Sequence, residues 1–343
     1  MNRNEQDLNI GWITQGERGH SLKTVLLIDG DVLAHIACKD KWAWIQKFRK
    51  IPLAERTKYP PKEGYELTKA EEAKYFQESY GYFKYHLKSI QEQMFSNIFL
   101  MAVKGKTNYR DDLYSEYKAN RKKKANPNHT ISSIRELAVI EGLAIHAEHR
   151  EADDLLKIWA NECDAIGVNY IVCTNDKDLN TIPKKHFNVK TNEFTNISEE
   201  YSIRFYYEQL LMGDPVDNIP GLPRIGPETA PKLVAHCKTI DEFQETVVEL
   251  YMEKFGDEWE NYLLSNGKML HIQNHWNDYF TLTDWPIVQA FRATKGNTAK
   301  VVASLESQIV ESVEKPAEPA QSLDSSATVV RRFKVPNTPV SKP

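Results

Sequence analysis

The sequence predicts an α/β protein, a mainly parallel sheet flanked by helices, on three observations. Short apolar runs alternate with longer helical stretches along the first two thirds of the chain. Turn residues follow the runs. Acidic residues gather just after strand ends or at helix starts, where open parallel sheets bind ligands. The 343 residues, 41% hydrophobic and 27% charged, suit a globular chain with a sizeable core.

Residues 25–28 read as a buried first strand ending in Asp29-Gly30-Asp31, where Gly30 permits a sharp exit. Leu33, Ile36 and Ala37 then form the apolar face of a helix. Residues 42–96 read as mostly helix, broken at Pro60-Pro61, with aromatics filling helix contacts rather than stacking on bases. Residues 97–103, 143–146, 170–174 and 186–190 supply the second to fifth strands. After the third strand, Ala152, Leu155, Leu156 and Trp159 fall at i, i+3, i+4 and i+7 and make the buried face of a helix. Glu151 and Asp154 are then expected to point together into a pocket.

Beyond residue 199 the pattern changes to short helices, over 201–212 and 227–236, around a hairpin bracketed by Gly221 and Gly226. Such a helix-hairpin-helix aims backbone N–H groups at an anion and grips a phosphodiester backbone without reading bases. Past residue 304 the apolar periodicity fades, and five of the 29 residues from 315 to 343 are proline, which predicts a disordered tail. Its Arg331-Arg332-Phe333-Lys334 offers a docking peptide or an extra phosphate contact.

No run approaches the roughly 18 apolar residues of a membrane span, and residues 1–21 lack the apolar core of a signal peptide. A cytoplasmic location is expected. The four cysteines form no CxxC pair, so neither disulfides nor a structural zinc is implied. His271 and His275 lack an HExxH context and read as ordinary surface or core histidines.

Chemistry is carried by eight carboxylates in four clusters: Asp29; Glu151, Asp153 and Asp154; Asp176 and Asp178; Asp214 and Asp217. Singly they have plainer readings, since acids in a first turn complement the helix dipole and Asn175 to Asp178 suits an Asx turn. Four clusters at topologically matched positions point to one acidic pocket. Such a pocket needs cations, and oxygen-only donors favour Mg²⁺ or Mn²⁺ over zinc. Residues 104–124 hold eight Lys or Arg against three acids, although the whole chain carries a net charge of −4. Alone this is a solvated loop; beside a cation-filled pocket it suits a polyanionic substrate. No Ser, His or Cys constellation offers a side-chain nucleophile.

In order, Ile28-Asp-Gly30, Lys104-Gly-Lys-Thr107 with Tyr109-Arg110, Tyr117-Lys118 with Asn120-Arg121, Glu151-Ala-Asp-Asp154, Asn175-Asp-Lys-Asp178 and the string from Met212 to Gly221 resemble the motifs of the structure-specific 5′ nucleases. That superfamily includes flap endonucleases, the 5′-nuclease domain of bacterial family A DNA polymerases and phage 5′→3′ exonucleases. The free-standing chain is most similar to the phage branch. Residues 1–21 are expected to be a flexible N-terminus, and the resemblance implies a PIN-like catalytic domain over 22–200 with a helical arch near 104–135. It further implies a helix-hairpin-helix DNA-binding subdomain over 201–300 and a tail over 301–343.

By the same resemblance, the chain is a two-metal, Mg²⁺-dependent enzyme, with Mn²⁺ as a substitute. It would hydrolyse phosphodiester bonds at 5′ ends, nicks or flaps of duplex DNA and remove RNA primers from RNA–DNA hybrids. The setting is phage-type replication or recombination, in the host cytoplasm if the chain is phage-encoded. Asp29, Glu151, Asp153 and Asp154 would serve mainly the first metal site, and Asp176, Asp178, Asp214 and Asp217 the second. Lys118 and Arg121, with Arg110, would act on the scissile phosphate. Lys104, Lys106, Lys122, Lys123 and Lys124, and Gly221, Arg224, Ile225, Gly226, Thr229 and Lys232 in and after the hairpin, would contact DNA, with K⁺ at the hairpin carbonyls. A replication protein is the partner expected for the tail.

There are two departures. Where the family places a metal-site aspartate at the end of the second strand, this chain has Ala102 and Val103, so the first site lacks an acid: either Asp31 compensates or the first ion binds more weakly and keeps more water. Asn108 is an insertion before the aromatic-Arg pair. Two alternatives stay open: a non-catalytic DNA-binding protein on the same fold, and a PIN-type ribonuclease.

Overall fold

The computed structural model describes residues 24–38, 40–120 and 129–294. The chain divides into two compact units, Met1–Ala290 and Phe291–Pro343, and every element named below belongs to the first. The expectations for residues 1–21, for Arg121 to Lys124 and for the tail from 301 lie outside the described residues.

Six strands form one sheet: β1 (Val25–Asp29), β2 (Phe99–Lys104), β3 (Ile145–Ala147), β4 (Tyr170–Thr174), β5 (Lys184–Asn188) and β6 (Glu193–Ile197). Their order is β3-β2-β1-β4-β5-β6, with the first five parallel and β6 antiparallel to β5. The chain runs outward from β1 to β3 and then crosses back to place β4 on β1's other side. The strand order therefore reverses between β1 and β4, the place where an open α/β sheet leaves a crevice.

Successive residues of β1 face opposite layers, as strand geometry requires. Val25 and Leu27 pack with Leu155, Leu156 and Trp159 of α6 (Ala152–Ala165). Leu26 and Ile28 pack with Leu33 of α1 (Gly30–Ala37), Phe83 and Leu87 of α3 (Lys69–Gln93), and Ile134 of α5 (His129–Ile140). Between α1 and α3 lies α2 (Lys41–Phe48). On α3, started by a Thr68–Glu71 capping box, Tyr75, Tyr80 and Phe83 are buried, so those aromatics build the core. Among the described residues between β2 and α5, the short α4 (Tyr109–Leu113) is the one regular element, followed by turns up to Asn120. Beyond β6 come α7 (Glu199–Met212), α8 (Ala230–Leu233), α9 (Ile240–Phe255) and α10 (Trp259–Leu270).

Three boundaries differ from expectation. The third strand begins at Ile145 because Leu143 and Ala144 both donate to Ala138 O after Gly142 at φ +73°, finishing the α5 cap. The fifth ends at Asn188, whose side chain accepts the N–H groups of Lys190 and Thr191 and so turns the chain into the unforeseen β6. The helix expected over 227–236 is regular only at Ala230–Leu233. Pro231 lacks an N–H to donate back, and the next pairings run from Lys232 N–H and Leu233 N–H to the same Thr229 O. The hairpin bracketed by Gly221 and Gly226 is therefore flanked by a full helix on one side only.

Gly30 packs against β2: a Cβ there would lie 2.6 Å from Val103 Cγ1 and 2.7 Å from the Ala102 carbonyl. Gly30→Ala is expected to lower stability by about 1–3 kcal/mol through overpacking, measured as a reduced urea midpoint with unchanged m-value.

Candidate active site

Asp29 ends β1 at the switch point. Its carboxylate accepts Val32 N–H (3.0 Å), capping α1, and the Thr174 hydroxyl at the end of β4 (2.9 Å). It is buried, and burial, reinforced by the charges of Asp31 and Asp176, pushes its pKa up to about 7 against those two hydrogen bonds. Beyond β4, Asp176 N–H donates to Thr174 Oγ1 (3.0 Å) and Asp178 N–H to Asp176 Oδ1 (3.0 Å). The same Asx geometry that explains the motif structurally thus also aims both acids. Asp178 Oδ1 accepts Gln209 Nε2 from α7 (2.8 Å). Burial, and next the charge of Asp176, raises Asp178 to about 7.

Asp214 and Asp217 come from a loop pinched shut by mutual bonds between Asp214 and Ile219 (2.9 and 2.8 Å). Gly213 and Gly221, both at positive φ, let its two ends touch: a Cβ on Gly221 would lie 2.3 Å from Gly213 N. Glu151 and Asp153 stand at the start of α6. Burial, followed by the charges of Asp29, Asp176, Glu151 and Asp178, pushes Asp153 well above the usual carboxylate range.

One cavity of about 170 Å³ is lined by Glu151, Asp153, Asp176, Asp178, Asp214 and Asp217. Six of the eight predicted acids, from three separate parts of the chain, therefore face one space. Asp29 sits in the sheet behind it.

Asp154 does not join them. It is fully buried and accepts both Arg110 Nη1 (2.7 Å) and Nη2 (2.8 Å), Gln273 N–H (3.0 Å) and Glu151 N–H (2.9 Å). Burial alone would raise its pKa, but Arg110 and these N–H groups hold it below the ordinary value. Arg110 also donates Nε to Met269 O (2.9 Å) and Nη2 to His271 O (2.6 Å). Both side chains, read from sequence as a metal ligand and a phosphate contact, are committed to a buried tie. Asn108, the apparent insertion, caps α4 by accepting Arg110 N–H (3.1 Å) and so helps place the guanidinium.

Lys118 reaches the cavity from an unusual backbone, φ +59°. Its N–H donates to Asp217 O (3.0 Å). Its ammonium contacts the Glu151 carboxylate and lies 3.4 Å from Asp217. Tyr117 donates toward both acids (3.0 and 3.3 Å), while Asn218 Nδ2 donates to Glu116 O (2.8 Å) and Asn120 to Pro215 O. The basic loop and the 214–218 loop are thus joined at the cavity rim. Tyr117 is part of the Tyr117-Lys118 motif, which gives it no role from sequence, and nothing in the sequence marks Gln209.

Six carboxylates face Lys118, Lys177 and Arg110 as the cationic side chains of the lining, and Arg110 is already paired. This excess, expressed in the raised pKa values, fits an oxygen-ligated divalent cation. Among the described residues no three Asp, Glu, His or Cys side chains stand close enough to cage an ion without moving. Ala102 pairs in register with Asp29 and is fully buried, as is Val103. Asp31 accepts Lys104 N–H (3.0 Å) and lies 2.7 Å from the Arg135 guanidinium, and like Asp29 it does not line the cavity. Lys104, Lys106, Arg224, Thr229 and Lys232 are exposed, Ile225 and Gly226 half-buried and Gly221 buried.

Two classes of acid follow. Asp154→Ala strands the Arg110 charge and is expected to cost about 3–5 kcal/mol, whereas Asp176→Ala relieves repulsion and leaves metal-free stability equal or higher. Urea denaturation of both variants in EDTA separates them.

Residues 56–208 match the family model described as the 5′-3′ exonuclease N-terminal resolvase-like domain. The chain is 33% identical over 162 residues to a 5′-3′ exonuclease of Buchnera aphidicola, covering 42% of this chain and 56% of that protein. It is 33% identical over 159 residues to DNA polymerase I of Rhizobium leguminosarum, covering 43% of this chain and 16% of the polymerase. It therefore spans about half of one relative and a small part of the other. A structure of the bacteriophage T5 5′-exonuclease with zinc bound aligns with a TM-score of 0.41 at 16% identity, over 72% of this chain and 95% of that one. The segment from residue 56 to residue 208 is thus similar to the 5′-3′ exonuclease N-terminal, resolvase-like domains.

Proposed function

We propose that this chain is a divalent-cation-dependent nuclease that hydrolyses phosphodiester bonds at 5′ ends, nicks and flaps of duplex DNA and at RNA primers, as a 5′→3′ exonuclease and flap endonuclease in phage-type replication. The observation that carries the reading is the single cavity lined by six carboxylates from separate chain segments, in a chain whose residues 56–208 match the 5′-3′ exonuclease family model. Mg²⁺ bound there would supply a nucleophilic water and neutralise the leaving oxygen. Glu151 and Asp153, with Asp29 behind, would hold it on one side. Asp176, Asp178, Asp214 and Asp217 would do so on the other.

The chain's own residues do the rest. Lys118 stands at the rim, where its ammonium is placed to neutralise charge on a phosphate, a role worth about 2–4 kcal/mol by comparison with other preorganised donors. Asx turns and the pinched 214–219 loop fix the backbone from which the carboxylates would close on an arriving ion. Exposed Lys104, Lys106, Arg224, Thr229 and Lys232 would meet the backbone of the duplex, a contact that weakens with salt.

Cleavage of 5′-labelled nicked and flapped duplexes should require Mg²⁺ and fall at least a hundredfold in Asp153→Ala. Wild-type protein that cuts neither, or that cuts only single-stranded RNA, would overturn the reading.

A second expectation follows from the raised carboxylates. The unfolded chain ionises these groups near pH 4 and the folded one only near 7, as for Asp29 and Asp178, so metal-free stability falls as pH rises through that window. Mg²⁺ binds the ionised form, so its gain in melting temperature should be small at pH 5 and large at pH 8. A pH-independent gain would place the ion elsewhere.

A further inference from the structure

A second cavity, of about 540 Å³, adjoins the first and shares Asp176 and Lys177 with it. It lies at the carboxyl ends of β4 and β5, where Thr174 and Asn188 are paired in register, and is closed on its far side by β6 and the first turn of α7. On this face α6 covers β1, β2, β3 and β4, and β5 and β6 continue past it.

The face of that hairpin toward the cavity is polar, with Thr195 exposed and His186 buried, its Nε2 2.8 Å from Ile182 O. His186 and Thr195, cross-strand partners, both line the cavity. Side-chain amides project from three sides: Asn175 on the loop after β4, Asn180 in the following turn and Asn196 on β6. Among the described residues, the exposed side chains of Asn175, Lys177 and Asn196 and the half-buried one of Asn180 make no hydrogen bond to another protein group, in contrast to Asn188, whose oxygen is used by the Lys190 and Thr191 amides. Tyr201 adds an aromatic side chain, with its ring lying against Phe205 at 6.0 Å between centroids.

Amides carry a donor and an acceptor side by side, the pattern that matches a base edge. An aromatic ring offers a stacking face, and a single lysine suits one phosphate rather than a polyanion. The volume lies in the range of small-ligand pockets. We propose that this cavity is a nucleotide subsite, which takes one unpaired nucleotide of the cleaved strand next to the scissile phosphate. The base would lie among Asn175, Asn180 and Asn196 against Tyr201, with its phosphate on Lys177. The placement beside the scissile phosphate rests on the nuclease reading; binding of a nucleotide does not.

The test uses the full chain and two measurements. In EDTA, calorimetric titration with deoxyadenosine 5′-monophosphate should give one site, weakened at least fivefold in Asn180→Ala/Asn196→Ala and in Tyr201→Ala. These substitutions are on the surface, and unchanged circular dichroism melts confirm folding. In Mg²⁺, the same variants should raise KM at least fivefold for a substrate with an unpaired 5′ extension and leave kcat and the KM for a blunt duplex unchanged. No binding by the wild type, or equal binding by wild type and variants, would overturn the subsite. Nucleotide binding that depends on these residues in a protein without nuclease activity would keep the subsite and sink the nuclease reading.

Discussion

The pair that the rest of the site depends on is Arg110 with Asp154. Both are buried, 2% and 0% exposed, and every polar group around them is satisfied by the other or by backbone: Met269 and His271 carbonyls on one side, Glu151 and Gln273 amides on the other. A buried ion pair is not in itself a large source of stability, because desolvation offsets much of its attraction, but losing one partner is costly. What it contributes is position. It fastens α4, the first turn of α6 and the segment after α10 at one point. Glu151 and Asp153, at the same turn, can face the cavity only while that turn is fixed.

Across the cavity the balance is reversed. Asp153 and Asp178, with Asp29 behind them, are raised by burial and by one another, so the fold holds like charges together at a cost. The cost is met locally. Thr174 donates to Asp29, Gln209 to Asp178 and Tyr117 toward Glu151 and Asp217, and Lys118 brings a positive charge to the rim. The sheet topology gathers these groups, since the reversal of strand order between β1 and β4 opens the crevice into which the acids after both strands fall.

Much of this was legible in the sequence because it rests on local pattern. Period and turn chemistry located β1, β2, β4 and the buried face of α6, and the placement of acids after strands anticipated one shared cavity. What escaped rests on distant contacts. Asp154 reads like its neighbour Asp153, and only the arrival of Arg110 and Gln273 from elsewhere in the chain distinguishes them. β6 escaped because four of its five residues are exposed, leaving no apolar signal, and its pairing follows from the Asn188 turn. The short α8 shows the limit of composition, since Pro231 reads as helix-compatible while its missing N–H weakens the middle of the stretch.

The absence of an acid at Ala102 has a consequence for how the cavity accepts a charge. Both Asp29 oxygens already accept hydrogen bonds, and the residue beside it across the β1–β2 ladder is a buried alanine. The half of the cavity nearest β1 therefore relies on Glu151 and Asp153. Glu151 is also the carboxylate that the Lys118 ammonium touches. On the proposed function, a cation entering this half competes with Lys118 for Glu151, whereas in the other half the same ammonium reaches only Asp217, at 3.4 Å, and Asp176, Asp178 and Asp214 have no such competitor among the ion pairs of the described residues. The two halves are unequal in resident charge as well as in ligand number, and a lysine displaced from Glu151 is left at the rim, where a phosphate would arrive.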